Sequence, residues 1–154
     1  MQIKLETDLA CSAARAWQEV NTTRLLRHVA RPLLTFEPID PPQWPAQWQD
    51  ERYLVRLRLM GLLPLGKQWV VITRWVSQQP RYEVRDNGYG ALARRWDHHV
   101  SIWPLSESSA RYVDRVEIEA GLLTPVVWLF AALFYRHRQR RWRALARSGF
   151  QYGE

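Results

Sequence analysis

The chain has 154 residues, 47% hydrophobic and 24% charged, which suits one globular domain spanning 1–154 and leaves no room for a second. A single cysteine, Cys11, excludes an internal disulfide framework and any thiolate metal site, so a reducing, cytoplasmic setting is the expectation. The net charge of +7 is local: residues 136–147 hold six arginines and no acid, leaving +1 for the remainder, which argues against the broad basic patch of a nucleic-acid binder.

In chain order, Ile3, Leu5 and Thr7 alternate with Lys4, Glu6 and Asp8, the period of a half-buried strand. This start has none of the features of a signal peptide. Ser12 stands before AARAWQEV as an N-cap. A second short helix is expected over 22–29, and Leu33, Leu34, Phe36 and Ile39 then suggest a strand. The stretch Asp40 to Asp50 holds three prolines and reads as a loop long enough to form a flap. Tyr53, Val55, Leu57 and Leu59 alternate with arginines, giving one dry face. GLLPLG (61–66) follows as an apolar turn, which the flap around Trp44 and Trp48 is expected to cover. Trp69, Val71, Thr73 and Trp75 are then expected to form the next dry face. Tyr82 and Val84 mark a short strand ending at Asp86-Asn87-Gly88, a turn sequence.

Residues 92–103 and 110–119 read as a hairpin. A register in which paired numbers sum to 212 sets Arg95 opposite Glu117 and Asp97 opposite Arg115, two favourable cross-strand pairs. It also sets His98 opposite Asp114 on the inner face. After Gly121, the segment 122–135 is almost wholly apolar, with Pro125 in a first helical turn. At that length it fits a buried helix rather than a membrane span. The arginine-rich half continues the helix to Ser148-Gly149, where glycine caps it. One strand, two short helices, about six further strands and a long final helix imply an α+β fold: a curved antiparallel sheet with helices on one side.

The opening strand with SAARAWQEV, then GLLPLGKQWVVI, RRWDHHVSIWPL, DRVEIEAGLL and the terminal FYRHRQRRWRAL resemble, in order and spacing, the START-like superfamily. That superfamily includes polyketide cyclases, lipid-transfer domains and plant Bet v 1 proteins, and the likeness is clearest to bacterial SRPBCC proteins. The resemblance covers nearly the whole chain. It implies a helix-grip fold with a deep pocket between sheet and final helix, but no particular reaction. Tyr53, Leu57, Trp69, Val71, Trp75, Trp96, Tyr112 and Trp128 are the candidate lining residues. They match the apolar walls of ligand pockets, and a hydrophobic small molecule (lipid, isoprenoid or polyketide-like) is the expected partner.

His98 and Asp114 are the candidate catalytic pair. An acid beside a histidine orients the imidazole for general-base work, as a cyclase or dehydrase needs. The plainer alternative is a buried pair that satisfies itself, and the lack of a nucleophile or metal set favours it. His99 points to the opposite face from His98, and His28 and His137 lie on other elements, so neither a metal nor any other cofactor is expected. Arg138, Arg140 and Arg141 are the candidate contacts of a lipid carrier with anionic membrane. The alternative is a solvated helix end, because Arg136, Arg140 and Arg143 fall on one side and Arg138 and Arg141 on another.

Overall fold

Period-two alternation and turn chemistry carry seven strands, and the computed structural model describes residues 1–75 and 80–153 of them and their connections. The order is β1 (Gln2–Leu9), α1 (Ala13–Val20), α2 (Thr23–Ala30), β2 (Leu34–Asp40), β3 (Arg52–Leu59), β4 (Leu63–Trp75), β5 (Tyr82–Gly90), β6 (Arg95–Ser106), β7 (Ser109–Glu119), a 3-10 turn (Gly121–Leu123) and α3 (Thr124–Arg147). All pairings are antiparallel in one sheet ordered β1-β7-β6-β5-β4-β3-β2. Ser12 Oγ accepts from Arg15 N at 3.1 Å, and Thr22 Oγ1 accepts from Leu25 N at 3.3 Å. These side chains satisfy backbone donors that the first helical turn leaves open. At the other end of the chain, Gly149 takes φ 70° as the left-handed residue that ends α3.

Four expectations need correction. The first concerns β4. Gln68, Val70 and Ile72 point inward, while Trp69 and Val71 are half-buried on the outer side. Both phases of this strand carry apolar residues, so alternation alone is ambiguous. Pairing decides it, because cross-strand partners share a face. Tyr53 pairs with Val70 and Val55 with Gln68, and Tyr53 and Val55 are core residues. A bulge between Leu57 and Arg58, opposite Leu65 and Gly66, resets the phase within GLLPLG. Trp69 instead stacks beneath Arg52, 4.5 Å from guanidinium carbon to ring centroid. Trp75 ends the strand, and its side chain lies outside the described residues.

The second concerns β5, which does not stop at Asp86-Asn87-Gly88 but runs to Gly90. A Cβ on Gly88 would lie 2.7 Å from Trp69 O, and one on Gly90 2.4 Å from Lys67 O. These glycines permit close strand approach rather than a turn.

The third is the β6–β7 register, shifted by two residues. Asp97 faces Glu117, His98 faces Val116 and Arg95 faces Glu119. The hairpin closes tighter than PLSESS suggests, with Ser106 and Ser109 paired through their hydroxyls at 2.7 Å. An even shift leaves every side chain on its face. Arg95 still reaches Glu117 at 3.2 Å, whereas Asp97 pairs with Arg85 at 2.7 Å in place of Arg115.

The fourth concerns what is covered. The 122–135 segment buries Val127, Ala131, Ala132, Phe134 and Tyr135 but exposes Leu122, Leu123, Val126, Leu129 and Leu133. The arginine-rich half supplies Gln139, Trp142, Leu145 and Ala146 to the core. The flap tucks Trp48 against Tyr53, with ring centroids 5.0 Å apart, and leaves Met60, Leu62 and Leu63 exposed at the β3–β4 tip. Among the described residues, no helix is long and apolar enough to cross a membrane.

Candidate functional site

Between the sheet and α3 lies a cavity of ≈100 Å3. Its walls come from α2 (Leu25, Leu26), β2 and β3 (Leu34, Phe36, Leu57), β4 (Val70, Ile72), β5 and β6 (Val84, Trp96, Val100) and α3 (Phe134, Tyr135), with Trp48 of the flap and Leu92. Polar groups are few: Gln68, Asp86, His98 and Arg138. Apolar walls with a small convergent polar set are the usual make-up of a small-molecule pocket.

That polar set is built from adjacent strands and one helix face. Asp86 and His98 are register partners on β5 and β6. Asp86 Oδ1 accepts from Val71 N at 2.8 Å, a side chain standing in for a ladder bond. Burial pushes the Asp86 carboxyl up to about 7, against the Val71 bond and the field of Arg138. His98 Nε2 lies 2.6 Å from Asp114 Oδ1, which also accepts from Tyr112 OH at 3.0 Å, while Oδ2 accepts from Gln139 Nε2 at 2.9 Å. Burial holds the His98 imidazole below its ordinary value, although Asp114 pulls the other way. Burial also works against the Asp114 carboxylate, but the His98 and Gln139 hydrogen bonds and the field of Arg138 outweigh it and hold it low. An ionised Asp114 only accepts, so neutral His98 carries its proton on Nε2, and Nδ1 is left as an acceptor. Tyr135 OH accepts from Trp96 Nε1 at 2.9 Å, which fixes the indole across the cavity wall.

The candidate residues separate accordingly. Leu57 and Trp96 line the cavity, and so does His98, while Asp114 stands behind it. Tyr53 and Tyr112 are buried but turn away. Tyr53 OH accepts from Gln49 N at 2.9 Å, and Tyr112 packs edge-on against Trp142. Trp69 and Val71 lie on the outer side for the pairing reason given above. Trp128 donates to Gln2 O at 2.9 Å, because its place on α3 faces β1 rather than the sheet's concave centre. Of the three arginines, Arg140 is exposed, and Arg141 Nε donates to His28 O at 2.8 Å. Arg138 turns inward and lines the cavity, because it continues the buried face of Ala131, Phe134 and Tyr135.

Sequence reasoning missed Asp86, Gln68 and the inward Arg138. Asp86 follows Val84 by two positions, so strand phase puts it inside once the strand is continued past Asp86. Arg138 lies four residues from both Phe134 and Trp142, which share the core face of α3. Among the described residues, no cluster of metal-ligating side chains occurs.

The fold is shared widely. A protein of Thermus thermophilus superposes with TM-score 0.65 at 12% identity, covering 98% of this chain and 100% of that one. A START superfamily protein of Mycobacterium smegmatis gives TM-score 0.63 at 12% identity over 96% and 97% of the two chains. Norcoclaurine synthase of Thalictrum, solved with a transition-state analogue, gives TM-score 0.57 at 12% identity over 92% and 93%. At such identities the likeness establishes the fold alone. No curated protein matches the chain. A family model described as a domain of unknown function, DUF8410, matches residues 7–146; the chain therefore belongs to that family, and it has the START-like helix-grip fold.

Proposed function

We propose that the protein binds a hydrophobic small molecule, of lipid, isoprenoid or polyketide-like type, in the cavity between the sheet and α3. The observation that carries this reading is the apolar space between sheet and helix with its polar groups gathered on β4, β5, β6 and one face of α3. A chain built only to pack would fill such a space, because interiors approach crystal-like density. Native mass spectrometry of the purified protein, followed by extraction, tests it. A defined apolar adduct that organic extraction releases is the expected result. A bare protein mass, together with no binding of fatty acids, isoprenoids or aromatic polyketide analogues, rejects it. A cyclase or dehydrase role for His98 and Asp114 is disfavoured, since burial holds the His98 imidazole below its ordinary value in spite of Asp114, which weakens it as a base.

A second reading, delivery of the ligand at an anionic membrane surface, rests on a different observation. Val126, Leu129 and Leu133 recur at helical spacing on the outer face of α3, Leu122 lies in the turn that leads into it, and all four are more than half exposed. The same face continues into the exposed Arg136, Arg140 and Arg147. The β3–β4 hairpin, whose Leu59 and Leu65 pack in the cluster of Val127 and Ala131, adds the exposed Met60, Leu62 and Leu63. An apolar stripe followed by cations suits a bilayer with acidic headgroups. Flotation with anionic vesicles is expected to carry the protein, and Leu129→Glu with Arg140→Glu is expected to release it. Flotation that ignores both lipid charge and these substitutions counts against this reading.

A further inference from the structure

Arg138 is half-buried on the cavity wall, and its guanidinium has no charged partner there among the described residues. Its Nε is fully buried with no hydrogen-bond partner. Among the described residues no acid comes within ion-pair distance of it; it rests against the rings of Tyr135 and Phe134, 5.1 and 5.8 Å from their centroids. A guanidinium presents five N–H donors in a rigid fork, and a buried donor left unmade is costly. The acids whose field it feels are Asp114 and Asp86. Asp114 has both oxygens engaged, and Asp86 has one oxygen on Val71 N. Gln68 Oε1, on the same cavity wall, is also buried without a partner. The wall of an apolar pocket thus carries a cation for which the described residues supply no hydrogen-bond acceptor and no ion-pair partner.

We propose that the ligand is an apolar carboxylate, whose head group takes the free donors of Arg138 while its hydrocarbon part runs along Leu34, Phe36, Leu57, Val70 and Ile72. This rests on the ligand-binding reading above and names the ligand's chemical class. A planar carboxylate matches the guanidinium fork with two parallel charge-assisted bonds. A dianionic phosphate fits less well, because Arg138 is the one cationic side chain on the cavity wall among the described residues and two acids stand nearby. The Gln68 amide can present either end to the head group. Protonated Asp86 adds an O–H donor, so the bound anion is met from β4, β5 and α3 together.

The test compares dodecanoic acid, its methyl ester and dodecanol by displacement of a fluorescent aliphatic probe at pH 6. Wild-type protein is expected to prefer the acid over the ester by about tenfold or more, as a charge-assisted pair implies. Arg138→Met is expected to fold, to melt at a higher temperature without ligand, and to bind acid and ester alike. Arg138→Lys keeps the charge without the fork and is expected to fall between them, which preserves the test if the methionine variant does not fold. Equal wild-type affinity for acid and ester, or a preference for acid that survives in Arg138→Met, overturns the carboxylate assignment while leaving the pocket standing. Absence of saturable probe binding rejects the pocket reading and this inference with it, whereas a bound probe that none of the three compounds displaces overturns the carboxylate assignment alone.

Discussion

Asparagine in place of Asp86 isolates the most unusual acid in the cavity. The Asp86 carboxyl rises from 3.8 to about 7, a shift of roughly three units worth about 4 kcal/mol between protonation states. Its cause is burial, opposed by the Val71 N–H and by Arg138, with Asp97 adding to the rise. The other groups packed around it are His98 from β6 and Tyr135 from α3, along with uncharged Gln68 from β4. Below pH 3.8 both the folded and unfolded chains hold the proton, so Asp86 costs nothing. Between 3.8 and about 7 the folded protein binds more protons than the unfolded chain, and stability attributable to Asp86 falls as pH rises. Above about 7 the loss is complete. The substituted asparagine retains an oxygen to accept from Val71 N but cannot ionise. Urea unfolding of both proteins from about pH 5 to 8 gives the comparison. His98 and the half-buried His28 and His99 titrate in both proteins, so the difference between the two curves reports Asp86. The Asp86→Asn protein is expected to gain on the wild type by about 1.4 kcal/mol per pH unit up to roughly pH 7 and to hold level beyond it. Parallel curves would refute the reasoning, because they would mean that Asp86 titrates as it does in the unfolded chain.

Other consequences follow from the same contacts. Asp114→Ala strands the donors of His98, Tyr112 and Gln139 in the interior, and a loss of about 3–5 kcal/mol in chemical denaturation is expected. Asp114→Asn retains one acceptor oxygen and is expected to lose less. Gly90→Ala places a Cβ 2.4 Å from the Lys67 carbonyl, and the strand separation needed to relieve it is expected to cost about 1–3 kcal/mol in the same assay. Arg52→Ala, by contrast, removes only a cation resting on outward-facing Trp69. It is expected to cost about 0.5–1 kcal/mol and to leave probe binding unchanged.

Element order was legible in the sequence because each element carries its own local signal. Ser12 marks the start of the first helix, and period-two patterns mark the strands. Gly149 ends α3. What was not legible depends on which strand lies beside which. The phase of β4 is invisible locally, since Trp69 and Val71 are as apolar as Val70 and Ile72; only pairing with Tyr53 and Val55 selects the inner face. The β6–β7 register was off by two because charge complementarity was sought within the hairpin, whereas Asp97 finds its cation on β5, in Arg85. His98 and Asp114 meet diagonally, so they come together in spite of that shift. Asp86 was hidden in a sequence that reads as a turn. Arg138 was hidden in a run of arginines whose charge suggested solvent, although its helical phase with Phe134 and Trp142 points to the core. In both cases a polar residue occupies an inward position, and such places are where local rules yield to a site.

The central claim is that the cavity holds an apolar ligand, and the most direct measurement is an equilibrium titration with a fluorescent aliphatic probe. It compares the wild type with Val84→Phe, which fills the cavity from β5. Saturable one-site binding by the wild type, lost in a Val84→Phe protein that still unfolds cooperatively, is the predicted result. Absence of saturable binding in the wild type, or binding unchanged by Val84→Phe, would contradict it.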